Sequence, residues 1–215
     1  MRYLIISFLF IGLLSCNNLN SGNEFETSLY KKHFTKSERN ELSNIVSYVD
    51  SLILSKNKYT EIDKAYHYYL DSVYQLAANG DESGLSFNEE QKYSFLFNID
   101  TILFKKIWVK STTSRIVRTR DTTLYYPNNF ISIDLNNNGE YVDIIEELGK
   151  NSTYYKALHE SIKAAGGLSP TAVSGFLYYN NDFDFNNLNN KIWASIFLLT
   201  TEESVEMKVK RYLKK

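Results

Sequence analysis

The chain has 215 residues, 24 of them Lys or Arg and 25 Asp or Glu, giving a formal charge of −1; the length suits one domain of ordinary size, and a dedicated nucleic-acid binder would carry a basic surplus. With 43% hydrophobic and 15% aromatic residues there is ample material for a core, which argues against general disorder. The one cysteine excludes a disulfide framework and a cysteine-cluster metal site, and two prolines with nine glycines lean toward helices.

The N-terminus reads MRYLIISFLFIGLLSC, with Arg2 ahead of an apolar run over residues 3–14 and Ser15 before Cys16. About twelve helical residues span roughly 18 Å against a hydrocarbon core of about 30 Å, too short for a stable crossing. A basic start, an apolar middle and a small closing residue fit a secretory signal. Leu13-Leu14-Ser15-Cys16 resembles the lipobox of bacterial lipoprotein precursors. That resemblance implies removal of a signal peptide over residues 1–15 and a Cys16 carrying diacylglycerol and an amine-linked acyl chain such as palmitate. Two or three acyl chains hold a protein stably at a bilayer, where one holds it marginally. Asn17 stands where lipoproteins retained in the inner membrane have aspartate, so the resemblance implies the outer membrane. No acidic cluster of the Bacteroidota surface-export type occupies residues 17–21, which favours the periplasmic face. Residues 16–35 are polar and without periodic apolar positions, so they read as a flexible tether with a reach of about 23 Å.

The folded domain is expected over residues 36–215. Leu42, Ile45, Val46, Val49, Leu52 and Ile53 recur at three- and four-residue steps and predict an amphipathic helix near 36–56. Thr60 offers an N-cap for a second helix running to Leu76, before the stop signal Asn79-Gly80. Ser86 and Glu89 form a capping-box pattern for a third helix with Leu96, Ile99, Leu103 and Ile107 on its apolar face. Thr, Val, Ile and Tyr then dominate, and the alternating ISIDL at 131–135 predicts the last of two or three short strands. Helical patterns resume at 141–149 and 154–165, and Ser169-Pro170 is an N-cap with proline at the first helical position. An Asn-rich stretch at 180–190 precedes an apolar run at 192–199; Thr200 and Glu203 suggest another capping box before a last helix at 205–213. The expected fold is mainly α, an irregular helical bundle of six or seven helices with a small β element near 110–135.

Asp134, Asn136, Asn138 and Gly139 match the opening of a calcium loop, but the closing position holds Ile145, so a tight turn feeding a helix is favoured and no metal or other cofactor is expected. Residues 105–120 hold Lys105, Lys106, Lys110, Arg115, Arg118 and Arg120 around Trp108 with no acidic residue. Such a ribbon suits envelope polyanions or glycans; the alternative is a solvated face balanced by acids elsewhere. His33, His67 and His159 lie far apart, and G-x-S-x-G, P-loop and G-x-G-x-x-G patterns are absent. The 17 tyrosines, several in adjacent pairs, could stack on sugars but more often build core. Asp50-Ser51-Leu52, Asp71-Ser72-Val73, Asp100-Thr101-Ile102 and Asp121-Thr122-Thr123 resemble the Bacteroidota O-glycosylation acceptor, and Thr122 alone falls in an expected turn. The leading expectation is a non-enzymatic, membrane-anchored envelope lipoprotein that contacts a protein or polysaccharide partner and no nucleic acid. The alternatives are a polyanion- or glycan-binding lipoprotein using the basic segment, and a hydrolase assembled from distant residues.

Overall fold

Capping chemistry sets most helix boundaries in the computed structural model, which describes Phe25 and residues 27–56, 58–80, 87–112, 116–127 and 130–214. Thr35 and Glu38 form a capping box, each side chain accepting from the other's backbone N–H, and so open the helix Lys36–Ser55. Asn88, Ser152, Ser169 and Ser204 each accept from the amide three residues on and start Glu89–Asn98, Thr153–Ala165, Pro170–Tyr178 and Val205–Tyr212. In chain order the helices are α1 Ser28–His33, α2 Lys36–Ser55, α3 Ile62–Ala78, α4 Glu89–Asn98, α5 Thr101–Ile107, α6 Glu140–Gly149, α7 Thr153–Ala165, α8 Pro170–Tyr178, α9 Leu188–Thr200 and α10 Val205–Tyr212. Four strands lie between α5 and α6: β1 Trp108–Thr112, β2 Ile116–Arg118, β3 Thr123–Tyr125 and β4 Ile131–Leu135.

The fold is mainly α with a small β element, but the described residues hold ten helices, more than the six or seven expected. One extra helix arises because the expected third helix is two. The Asp100 carboxylate accepts from the Ile102 and Leu103 amides at 2.9 and 3.0 Å, so α5 starts afresh after α4 has ended. Another extra helix is α1, within the segment read as a tether. Tyr30 and Phe34 are buried with Phe25, and the Tyr30 hydroxyl donates to Asn189 Oδ1 at 2.8 Å. The tether reading fails over that half because three aromatics bury more apolar surface than a solvated linker can leave exposed. Residues 1–24, Cys16 among them, lie outside the described residues.

Helix α9 is the axis of the core: every residue from Ile192 to Thr200 is buried. An apolar surface all round a helix needs cover on every side. α2 and β4 pack on it, and α8 supplies Phe176, whose ring lies 4.7 Å from Phe197 and 5.6 Å from Trp193. α6 packs against α7, α3 against α8 and α2, and α1 and α5 against α6. Among the described residues no helix is long and apolar enough to cross a membrane.

The strands form a two-stranded ribbon in two sections. β1 pairs antiparallel with β4, placing Trp108 opposite Leu135 and Thr112 opposite Ile131; β2 pairs antiparallel with β3, placing Ile116 opposite Tyr125. The distal section rests on α10 through Val117, Phe130 and Val209, with Tyr212 and Leu124 at the side. A buried ionic network ties α10 and the segment before it to α4 and β4. Lys92 Nζ donates to Glu89 Oε1 and to the Thr201 carbonyl, both at 2.8 Å. Glu202 Oε1 accepts from Tyr93 Oη at 2.6 Å and from the Ile133 amide at 2.7 Å, and Lys208 Nζ donates to Glu202 Oε2 at 2.7 Å and to the Ile131 carbonyl at 2.9 Å. Thr200, expected as a helix cap, instead ends α9: its hydroxyl accepts from Trp108 Nε1 at 2.9 Å and donates to the Ile196 carbonyl at 2.7 Å.

Candidate functional site

A turn at residues 136–139 sets the angle between α5 and the ribbon. Asn136 Nδ2 donates to the Lys105 carbonyl at 2.6 Å, the Asn136 amide donates to the Ile107 carbonyl at 2.9 Å, and the Gly139 amide donates to the Asn136 carbonyl at 2.9 Å. A Cβ at Gly139 would sit 2.3 Å from the Lys106 carbonyl oxygen, so the approach of the turn to α5 requires glycine. The calcium-loop candidates are committed to this scaffold. Asn136 Oδ1 accepts from the Asn138 amide at 3.1 Å, and Asp134 Oδ1 accepts from the Leu135 and Leu168 amides at 2.7 and 3.3 Å. Among the described residues no group of three or more His, Cys, Asp or Glu side chains is placed to hold a metal ion.

The angle so fixed contains a groove of about 510 Å³. Its walls are Leu96 and Phe97 from α4, Ile99, Thr101, Phe104 and Lys105 from the α5 side, Trp108, Val109 and Lys110 from β1, and Asn136. The volume lies within the range of about 300–1,000 Å³ typical of small-ligand clefts. Phe97 and Val109 are 43% and 47% exposed. The Lys110 ammonium stands 4.5 Å from the Phe97 ring centroid, and the Phe104 and Trp108 rings are 5.7 Å apart. The charged groups of the lining are therefore two ammonium ions, set over a floor of aromatic and aliphatic carbon. This chemistry suits binding of an apolar group with negative charge at one end.

The basic segment read from sequence is thus divided. Lys105 and Lys110 reach the groove, and Trp108 lies under its floor with 1% exposure. Lys106 faces the other way: its ammonium contacts the His33 carbonyl at 3.0 Å, Glu38 at 3.1 Å and Glu140 at 3.2 Å, so it holds α1, α2 and α6 together rather than meeting a partner. Arg118 ends β2 and Arg120 lies in the Thr119–Thr122 turn, where the Thr119 amide donates to the Thr122 carbonyl at 2.8 Å; both arginines are exposed and stand apart from the groove lining. Arg115 lies outside the described residues. Sequence reading missed Leu96, Phe97, Phe104 and Val109 as site residues. The available signal was Phe97 and Phe104, which fall off the helical face carrying Leu96, Ile99, Leu103 and Ile107.

Three of the four Asp-Ser/Thr-apolar sequences have a structural account. Asp50 accepts from the Tyr66 hydroxyl at 2.8 Å, Asp71 from Asn180 Nδ2 at 2.7 Å, and Asp100 caps α5. Ser51 and Ser72 sit within α2 and α3 and donate to the Tyr48 and Tyr68 carbonyls. Thr122 is half-buried in the hairpin turn, with its amide donating to Thr119 Oγ1 at 3.0 Å. Of the tyrosine pairs, Tyr125-Tyr126 and Tyr178-Tyr179 are exposed rather than core, each ring at least 56% open to solvent.

The charges around α1 carry a pH dependence. The Lys32 ammonium and His33 beside Glu147 hold its carboxyl at about 2, down from an ordinary 4.5. Burial raises the Glu38 carboxyl, but the Thr35 amide, Lys106 and the Thr35 hydroxyl outweigh it and leave Glu38 below its usual range. Carboxyls depressed by folding contribute stability that is whole above the unfolded value and is lost as pH falls through the folded one. The denaturation midpoint should therefore hold steady from pH 7 to about 5 and fall from about 4.5 toward 2. Glu147→Gln should flatten part of that fall; a midpoint unchanged to pH 2 would contradict the assignment.

No protein-family model, no curated protein and no solved structure matches this chain.

Proposed function

We propose that this protein is a lipid-anchored, non-enzymatic binding module of the bacterial cell envelope, held at the membrane through Cys16 and presenting the α4–α5–β1 groove to its partner or ligand. The observation that carries the binding part of the reading is the groove: about 510 Å³, walled by exposed Phe97 with Phe104 and edged by Lys105 and Lys110. Support for the anchor comes from the sequence: a basic start, an apolar run over residues 3–14, and Ser15 before the chain's one cysteine. Asn17 and the lack of an acidic cluster after it support an outer-membrane position facing the periplasm.

Expression in a bacterial host with phase partitioning in detergent tests the anchor. The native chain is expected in the detergent phase and labelled by radioactive palmitate, and Cys16→Ser in the aqueous phase and unlabelled. Equal partitioning of both forms would overturn it.

A second reading, a polyanion- or glycan-binding face on the ribbon, is favoured by exposed Arg118 and Arg120 on the same hairpin as exposed Tyr125 and Tyr126. It predicts salt-sensitive retention on cell-wall or capsular polymer that Arg118→Gln with Arg120→Gln abolishes. Intact mass from the native host tests Thr122 as a glycan acceptor; polypeptide plus lipid alone would exclude it.

A further inference from the structure

We infer that the groove takes one single-chain anionic amphiphile, a molecule of fatty-acid type. Its apolar chain lies over Phe97 and Phe104, with Leu96 and Trp108 buried beneath them, and its carboxylate meets Lys105 and Lys110. This rests on the reading of the groove as a binding site and adds the class of ligand.

Charge and shape argue for it together. The lining is apolar apart from Thr101, Asn136, the indole N–H of Trp108 and the two ammonium groups, and it holds no carboxylate. Asn136 spends its amide on the Lys105 carbonyl and the Asn138 amide, and the Trp108 N–H is spent on Thr200. What the groove offers a ligand is therefore carbon surface and positive charge. Lys106, one residue from Lys105, is neutralised by Glu38 and Glu140, whereas Lys105 and Lys110 have no ion-pair partner among the described residues. Lys105 comes from α5 and Lys110 from β1, so positive charge is presented to the groove from two of its walls. Lys110 is drawn over the Phe97 ring at 4.5 Å, which keeps the cation beside the apolar wall. A long polyanion would need a row of cations, and here there are two, set against a floor that a hydrated polymer does not match.

Fluorescence gives the test. Trp108 and Trp193 are the two tryptophans, so Trp193→Phe in the full chain leaves Trp108 as the reporter under the groove floor. Dodecanoate, dodecanol and dodecyltrimethylammonium are titrated as monomers, and calorimetry on the unsubstituted chain repeats the ranking without relying on the substitution. Dodecanoate is expected to saturate one site about tenfold more tightly than dodecanol, the effect of two partly screened charge contacts, and the cation to bind most weakly. Lys105→Gln with Lys110→Gln should erase the tenfold preference and keep dodecanol binding, and Phe97→Asp should weaken all three. Equal affinity for dodecanoate and dodecanol would overturn the ligand class and leave the groove as a site. No binding of any probe would overturn both. A Trp108 response to phosphatidylglycerol vesicles but not to monomeric dodecanoate would assign the face to a bilayer and overturn the inference.

Discussion

Lys92→Met is expected to destabilise the fold by about 3–5 kcal/mol in urea denaturation, and Glu89→Gln added to it should return most of that loss. The Lys92 and Glu89 side chains are 0% and 1% exposed. Burial raises the Glu89 carboxyl, yet Lys92, the Glu203 amide and Lys208 outweigh it and hold Glu89 below the usual carboxylate range. Removing the ammonium leaves a carboxylate deep in the protein whose second oxygen, Oε2, has no hydrogen-bond partner to begin with. Removing both charges ends that penalty, because the cost of a broken buried pair is mostly the charge left behind. The Thr201 carbonyl also loses its donor in Lys92→Met, so the junction between α9 and α10 should exchange amide hydrogens faster. A loss below about 1 kcal/mol, or no recovery in the double variant, would show that the network does not lock α10.

Phe176→Ala should cost a comparable amount, about 3–5 kcal/mol, through the cavity it leaves. Its side chain has 0% exposure and lies among Phe183 at 5.1 Å, Trp193 at 5.6 Å and Phe197 at 4.7 Å, edge-to-face with each. Phe176→Leu keeps most of the volume and should cost clearly less. The effect should spread to residues 180–187, because Phe183 packs on the same ring. Asn180 there is fully buried, its amide donating to Asp71 and to the Leu177 carbonyl while its carbonyl oxygen meets His67 Nδ1. Urea denaturation gives the magnitude and hydrogen exchange the spread; a fall of about 1 kcal/mol or less would mean that α8 is not anchored through this ring.

Elements whose signals are local were readable. Ser169-Pro170 opens α8, Gly166 closes α7 in the left-handed region at φ 79°, and ISIDL forms β4. Where two local signals competed, the capping residue won over periodicity: the apolar spacing from Leu96 to Ile107 ran straight through Asp100, which starts a new helix. Thr35 and Glu38 carried a capping-box signal that the polar setting of residues 17–35 obscured. The roles within the Asn-rich stretch were not legible because the partners of Asn180 and Asn187 are a distant aspartate and an amide at a helix start. The groove was half legible. Lys105, Trp108 and Lys110 stood out as a basic segment with an aromatic, but Phe97 and Val109 join them only once the turn at 136–139 fixes α5 against β1. The same fold removes Lys106 from that set, since its acidic partners Glu38 and Glu140 come from other parts of the chain.

Amide chemical-shift mapping of the full chain with dodecanoate tests the central claim most directly. Shifts concentrated at Phe97, Thr101, Lys105, Val109 and Lys110, saturating at one ligand per chain and with α7 and α8 unmoved, are the result expected of a binding groove. Shifts centred on the β2–β3 hairpin, or none at α4, α5 and β1, would contradict it.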